Sequence, residues 1–231
     1  MPADPLLSFI ANDHGLRALL DAVRSRDDGD AAHDVSHCLR VARWTIRLGG
    51  ADVDRREAVA AALLHDFVNV PKNSPDRNRA SALCAEAARP LLAQAEFSPD
   101  AVVRIADAIE DHSYSRGAVP RTLLGAALQD ADRLEALGAL GILRTASTGA
   151  RMGAHYFNVD DPWASERELD DKRFSIDHFF TKLLPLAETL RTEAGRAEAR
   201  RRTALMHDFL HALGEEIGAP YRSAGPTPRR Q

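Results

Sequence analysis

An all-α fold is the expectation for this chain, and three observations lead to it. Apolar residues recur three and four apart in six stretches: Leu16 to Val23, Val35 to Leu48, Val59 to Phe67, Val102 to Ile109, Leu123 to Leu143 and Phe179 to Leu190. No alternating run of β-branched residues is long enough to nucleate a sheet. The punctuation agrees with helices. Gly49-Gly50 stops one, Ser98-Pro99 supplies a cap and a first-turn proline for another, and Pro120 can open the helix that carries Asp130 and Asp132.

Three segments resist helix assignment and are therefore candidate site loops. Val68 to Arg79 contains Pro71, Lys72, Ser74, Pro75 and Arg77. His112 to Val119 contains Ser113, Tyr114, Arg116 and Gly117. Gly149 to Trp163 contains Tyr156, Asp160-Asp161 and Pro162. The organisation expected is an N-terminal helix within 1–29, a main domain over 30–218 and a disordered tail over 219–231, where Pro220, Pro226, Pro228 and Arg229-Arg230 cluster.

Bulk properties narrow the function classes. With 231 residues, 45% hydrophobic and 28% charged, the chain can bury a substantial core. A net charge of -4 argues against a dedicated nucleic-acid binder, although a metal and a few local cations can hold phosphate inside an acidic protein. No run of about 18 apolar residues suggests a membrane span, and Met1-Pro2-Ala3-Asp4-Pro5 lacks the basic and apolar regions of a secretory signal. Cys38 and Cys84 have no metal-type spacing and read as reduced thiols, so a cytoplasmic location is expected. The apolar stripe from Phe179 to Leu190 fits either internal packing or a homodimer face.

The chemistry-bearing residues gather around His-Asp pairs, of which there are three. His33-Asp34 with His37 has the spacing of a zinc-protease helix, but Asp stands where the glutamate base belongs. His207-Asp208 with His211 lies in an Arg-rich amphipathic stretch with no adjoining loop, where a solvated or core-edge helix face is the ordinary explanation. His65-Asp66 differs, because it directly follows Ala60-Ala61-Ala62-Leu63-Leu64. Ionisable groups at the end of a buried helix need partners or a metal to offset desolvation. With His37 upstream and Asp130 and Asp132 downstream, two imidazoles and two carboxylates are at hand, enough for one divalent cation with positions left open. Asp130 and Asp132 lie two apart on different helix faces, and periodicity does not choose between them.

His37-x-x-Arg40-Val41, Leu63-Leu64-His65-Asp66 and Ala131-Asp132-Arg133-Leu134 together resemble the metal-dependent HD-domain phosphohydrolase superfamily. The likeness is closer to its YedJ/YpgQ-like bacterial branch. It runs through Asn69 to Pro75, Asp111-His112-Ser113, Gln129 to Gly138 and Ile176-Asp177-His178-Phe179, and spans roughly residues 30 to 217. The resemblance implies an HD-type helical bundle with His37, His65, Asp66 and Asp132 as metal ligands. Asp132 is preferred because Leu134 follows it at the superfamily's position, which leaves Asp130 behind the ligands or on the substrate side. It further implies a nucleotide phosphatase or pyrophosphatase that acts through a metal-activated water. A non-catalytic nucleotide sensor and a cyclic-nucleotide phosphodiesterase are the alternatives. Mixed nitrogen and oxygen ligation points to Mn²⁺ first, with Fe²⁺, Zn²⁺, Ni²⁺ or Mg²⁺ as other candidates. Asp66 is expected to orient the water, and His112 to act as general acid or substrate contact. Lys72, Ser74 and Arg77 are expected to hold phosphate. Where several relatives carry a glutamate base after the pair, this chain has Asn69, which leaves the base unassigned.

Overall fold

The computed structural model describes residues 4–26, 35–68, 70, 78–113 and 117–222. His33-Asp34, Asn69, Lys72, Ser74, Arg77, Tyr114, Arg116 and residues 223–231 of the tail lie outside the described residues. Helices make up the architecture, and the one β-type pairing among the described residues is an isolated bridge between His155 and Phe174. Contacts group the chain into two compact units, Met1–Asp132 and Arg133–Gln231.

In the first unit, α1 (Pro5–Ala11) and α2 (His14–Arg24) each start on an aspartate cap. Asp4 accepts from the Leu6 amide and Asp13 from the Leu16 amide, both at 2.9 Å. Two helices thus occupy the N-terminal region where one is expected. α3 (Val35–Gly49) ends at the anticipated glycine pair, with Gly50 at φ +59° leading into a 3₁₀ turn. α4 (Arg55–Leu64) is capped by Asp54, which accepts from the Glu57 amide at 2.9 Å. α5 (Ala80–Gln94) carries no clear periodicity, because six of its 15 residues are alanine and lie on every side of the helix. α6 (Pro99–Asp111) begins as expected, with the Ser98 hydroxyl accepting from the Ala101 amide.

α4 is the axis of this unit. Every residue from Ala58 to Leu64 is buried, and α2, α3, α5 and α6 all pack against it. Alanines at 60, 61 and 62 let neighbouring backbones approach on all sides, and the helix discharges directly into His65 and Asp66.

The apolar pattern from Leu123 to Leu143 predicts one helix, and the structure has two: α7 (Leu123–Leu134) and α8 (Gly138–Arg151). Leu137 is extended and Gly138 sits at φ +73°, a left-handed conformation that glycine adopts without strain, so the chain turns there.

The second unit starts within the last turn of α7. The expected helix from Phe179 to Leu190 is instead a π turn (Phe179–Leu183), the three-residue α9 (Leu184–Leu186) and a 3₁₀ turn (Ala187–Thr189). Pro185 has no N–H to donate to a continuous α ladder. Phe179, Leu183, Leu186 and Leu190 are all buried inside the chain, so this stripe is internal packing rather than a dimer face. Between α8 and this segment, Asp161 accepts from the amides of Ser165, Glu166 and Arg167 at 2.8, 2.9 and 3.2 Å. Arg167 reaches the fully buried Asp177 with both terminal nitrogens, at 2.5 and 2.7 Å. α10 (Glu193–Glu216) then carries His207 and His211, which pack around the Tyr221 ring; the Tyr221 hydroxyl lies 3.2 Å from His207 Nδ1. That third His-Asp pair therefore sits in an aromatic packing cluster, in keeping with its helical setting. No helix among the described residues is long and apolar enough to cross a membrane.

Two stability tests follow from this packing. Ala61→Leu inserts three carbons where α4 has no free side, and should cost about 1–3 kcal/mol or more, read as a lower urea midpoint. On α10, the Arg201 guanidinium, against the opposing effect of burial and with Arg202 assisting, holds the Glu198 carboxyl at about 2 instead of 4.5. A folded-state value below the unfolded one stabilises the fold above about pH 4.5, and that stability is lost as pH falls towards about 2. Glu198→Gln should therefore cost about 1–2 kcal/mol at pH 7, and the gap to the parent chain should shrink in urea titrations near pH 3.

Candidate metal centre

Four elements of the first unit converge on one point. His37 comes from the first turn of α3, His65 and Asp66 from the end of α4, His112 from the end of α6 and Asp132 from the last turn of α7. His37 Nε2 and His65 Nε2 lie 3.2 Å apart. Asp132 Oδ1 is 3.6 Å from the first and 3.8 Å from the second, and Asp66 Oδ2 is 3.9 and 3.4 Å from them. The ligand atoms of His37, His65 and Asp132 lie within 4.8 Å of one another, as do those of His65, Asp66 and His112.

These distances suit a small cation. A tetrahedron with edges of about 3.6 Å has its centre about 2.2 Å from each corner, close to the metal–nitrogen and metal–oxygen bonds of about 2.0–2.2 Å. The tautomers also suit it. His65 Nδ1 lies 2.8 Å from the Ala62 carbonyl oxygen, and a carbonyl can only accept, so Nδ1 carries the proton and Nε2 keeps its lone pair. Burial lowers the His65 pKa, with the His112 and His37 imidazoles pushing the same way, which favours the neutral ligand form. Burial works to raise the Asp66 carboxyl, but the imidazoles of His65, His112 and His37 outweigh it and hold the carboxyl well below the usual range. A divalent cation would take the place of that positive charge.

The cage has a closed wall and an open one. The imidazoles of His37 and His65 are 1% and 0% exposed, whereas the Asp66 and Asp132 side chains are 32% and 29% exposed. Among these four side chains, solvent reaches the carboxylates. Of the two aspartates on α7, Asp132 faces the imidazoles and Asp130 is fully buried, with no surface to offer a substrate.

His112 stands beside Asp66, its Nε2 3.7 Å from Asp66 Oδ1, with its ring edge-on to His65. Burial works to lower its pKa, but Asp66 and Asp132 prevail and raise it. Sequence reasoning missed what holds it. Arg121 grips Asp111 through Nε at 2.8 Å and a terminal nitrogen at 3.0 Å, and Gln129 donates to the Asp111 and Ala118 carbonyls at 2.9 and 3.1 Å. Another such grip lies behind the ligand pair. Arg26 covers the Phe67 ring and donates to the Phe67 carbonyl at 3.2 Å, and the Val68 amide donates to Cys84 Sγ at 3.3 Å. Neither contact has a sequence signature, because the partners are ten to forty-one residues apart.

Comparison with known proteins places this geometry. Residues 34–137 match the HD domain family. The uncharacterized protein YpgQ of Bacillus subtilis (strain 168) is 29% identical over 192 residues, which cover 82% of this chain and 87% of YpgQ. The crystal structure of Bacillus subtilis YpgQ in complex with ADP is similar at a TM-score of 0.68 and 27% identity, over 87% of this chain and 96% of that one. A predicted HD superfamily hydrolase from an uncultured Thermotogales bacterium is similar at a TM-score of 0.62 and 27% identity, over 92% of this chain and 99% of that one.

The geometry separates the two α7 aspartates by experiment. Asp132→Asn should weaken Mn²⁺ binding by about tenfold or more, and Asp130→Asn should affect it far less. A metal titration giving the reverse order would transfer the ligand role to Asp130.

Proposed function

The chain is an HD-domain protein, and from that premise we propose that it is a metal-dependent phosphohydrolase that cleaves phosphate or pyrophosphate bonds of a nucleotide. The observation that carries this reading is the half-open cage: two buried imidazoles behind, two part-exposed carboxylates in front. That donor set suits a divalent cation, Mn²⁺ first among the candidates, and its open side leaves room for a phosphoryl group. The crystal structure of the similar YpgQ in complex with ADP supports a nucleotide as the ligand class. Two buried thiols, Cys38 and Cys84, with no disulfide between them, fit a reducing compartment, and a cytoplasmic location is part of the proposal.

In this reading His37, His65, Asp66 and Asp132 hold the cation, which supplies positive charge to polarise the phosphoryl group and acidify water. Asp66, the more exposed carboxylate, accepts a hydrogen bond from the attacking water and orients it. His112, held rigidly by the Ile109 carbonyl at 2.6 Å, presents Nε2 on the Asp66 side, where it can donate to the leaving oxygen or contact the substrate. Asp130, being fully buried, serves behind the ligands rather than at the substrate. Lys72, Ser74 and Arg77, on the stretch that follows Asp66 in the chain, are the proposed phosphate contacts.

Phosphate and pyrophosphate release from a nucleotide panel with Mn²⁺ tests the reading. Turnover of a nucleoside di- or triphosphate that stops on chelation supports it. Tight nucleotide binding with no release would leave a sensor, and turnover confined to cyclic nucleotides would make it a phosphodiesterase. Lys72→Ala should lower kcat/KM by roughly one to three orders of magnitude, about 1.4–4 kcal/mol. The loss should be larger for a nucleoside triphosphate than for the singly charged bis-p-nitrophenyl phosphate. Equal losses would remove Lys72 from the phosphate site and leave His112 and Arg116 as the better candidates.

A further inference from the structure

We infer that the first turn of α5 is an oxyanion position for a phosphate group, with Ser81 Oγ and the opening amides of the helix as its donors. The anion position stands on the geometry of α5 alone, while naming the anion as phosphate rests on the phosphohydrolase reading.

Ser81 is the second residue of α5 and is 3% exposed, and its hydroxyl has no hydrogen-bond partner among the described residues. A buried hydroxyl left without a partner is costly and uncommon in folded proteins. Side chains on a helix tilt towards its N-terminus, so a hydroxyl at the second position is aimed at the open end. That end is itself uncapped. Arg79 holds the cap position without a side-chain cap hydrogen bond, whereas Asp4, Asp13, Asp54, Ser98 and Thr192 each accept from an amide of the helix they open. The opening amides of a helix have no acceptor within it. Hydroxyl and N–H donors thus gather at one point, with no acidic residue in the first turn to answer them.

Charge and access both suit an anion. The dipole of this 15-residue helix places partial positive charge at the same end. Asn78 and Arg79 are exposed and Ala80 is half-buried, so solvent reaches the turn from the side on which the chain enters, with Ser81 behind. A phosphate group presents several strong acceptor oxygens, enough to take the hydroxyl and the amides together. The position also borders the stretch that leaves the metal centre. Cys84 follows Ser81 by three residues and shares its face of α5. Its sulfur accepts from the Val68 amide at 3.3 Å and donates to the Val68 carbonyl at 3.5 Å, two residues after Asp66. The phosphate comes either from a nucleotide or from the free ion that hydrolysis releases.

The test is a titration of the full chain with inorganic phosphate in the presence of a chelator, so that neither metal nor turnover enters the result. Calorimetry and amide nuclear magnetic resonance follow it. Phosphate should move the Ala80, Ser81 and Ala82 amide signals most, beyond the effect of sodium chloride at equal ionic strength. Ser81→Ala should bind phosphate about tenfold or more weakly, the loss of one hydrogen bond to a charged group. Its melting temperature without phosphate should equal or exceed that of the parent chain, because the hydroxyl removed has no partner. Adding a nucleoside triphosphate separates the two sources. Displacement of inorganic phosphate from these amides assigns the position to a nucleotide phosphate, and joint occupation assigns it to the free ion. Amide shifts confined to other residues, an unchanged phosphate affinity in Ser81→Ala, or a lower melting temperature of that variant would overturn the inference. A chain that binds phosphate here but releases none from any nucleotide would instead remove the phosphohydrolase reading and leave the anion position standing.

Discussion

Everything in the first unit depends on α4 having no solvent face from Ala58 to Leu64. A helix surrounded on all sides cannot carry polar residues until its end, and it cannot carry large ones where neighbouring backbones must approach. Ala60, Ala61 and Ala62 meet both demands. The first polar residues after the apolar run, His65 and Asp66, therefore emerge at the centre of the unit, where α3, α6 and α7 bring His37, His112 and Asp132. Stability and site placement are one property here: the packing that buries the helix also sets the imidazoles 3.2 Å apart.

Such closeness has an electrostatic consequence. Two imidazoles at this distance in a buried setting cannot both be protonated without a large penalty, and burial already favours the neutral form of His65. Two carboxylates on the solvent side need a positive partner. A divalent cation satisfies both conditions, because it accepts lone pairs from neutral nitrogens and compensates the charge of the oxygens. Among the described residues the site thus runs from a buried imidazole wall to a carboxylate rim that solvent reaches.

The elements that punctuation marks are legible in the sequence. Ser98-Pro99 starts α6, Gly49-Gly50 closes α3, and the His65-Asp66 pair follows the most buried apolar run. The His and Asp residues that cluster there can be named in advance because short motifs on separate helices carry them. Other elements are hidden for physical reasons. α5 is so rich in alanine that its two faces differ little in hydropathy, and α7 and α8 share an apolar rhythm that masks the turn at Gly138. Pro185 does announce the broken helix after Phe179, but the apolar rhythm around it is the stronger signal. The supporting contacts, Arg121 on Asp111 and Arg26 on Phe67, depend on which loops meet in space, and no local pattern encodes that.

The grip on Asp111 separates two kinds of freedom in the chain. Gln129 and Arg121 fasten the residues on either side of the second loop, at Asp111 and Ala118, so His112 is located by contacts outside the stretch that connects them. Closing a loop of this size between fixed ends costs little more when a residue is added or exchanged. The end of α6 therefore keeps its place through the side chain of Gln129 on α7 and through Arg121. Sequence change further along the chain from Asp111 is in this way cheap for the position of His112, because the contacts that hold it are made by α7 and Arg121.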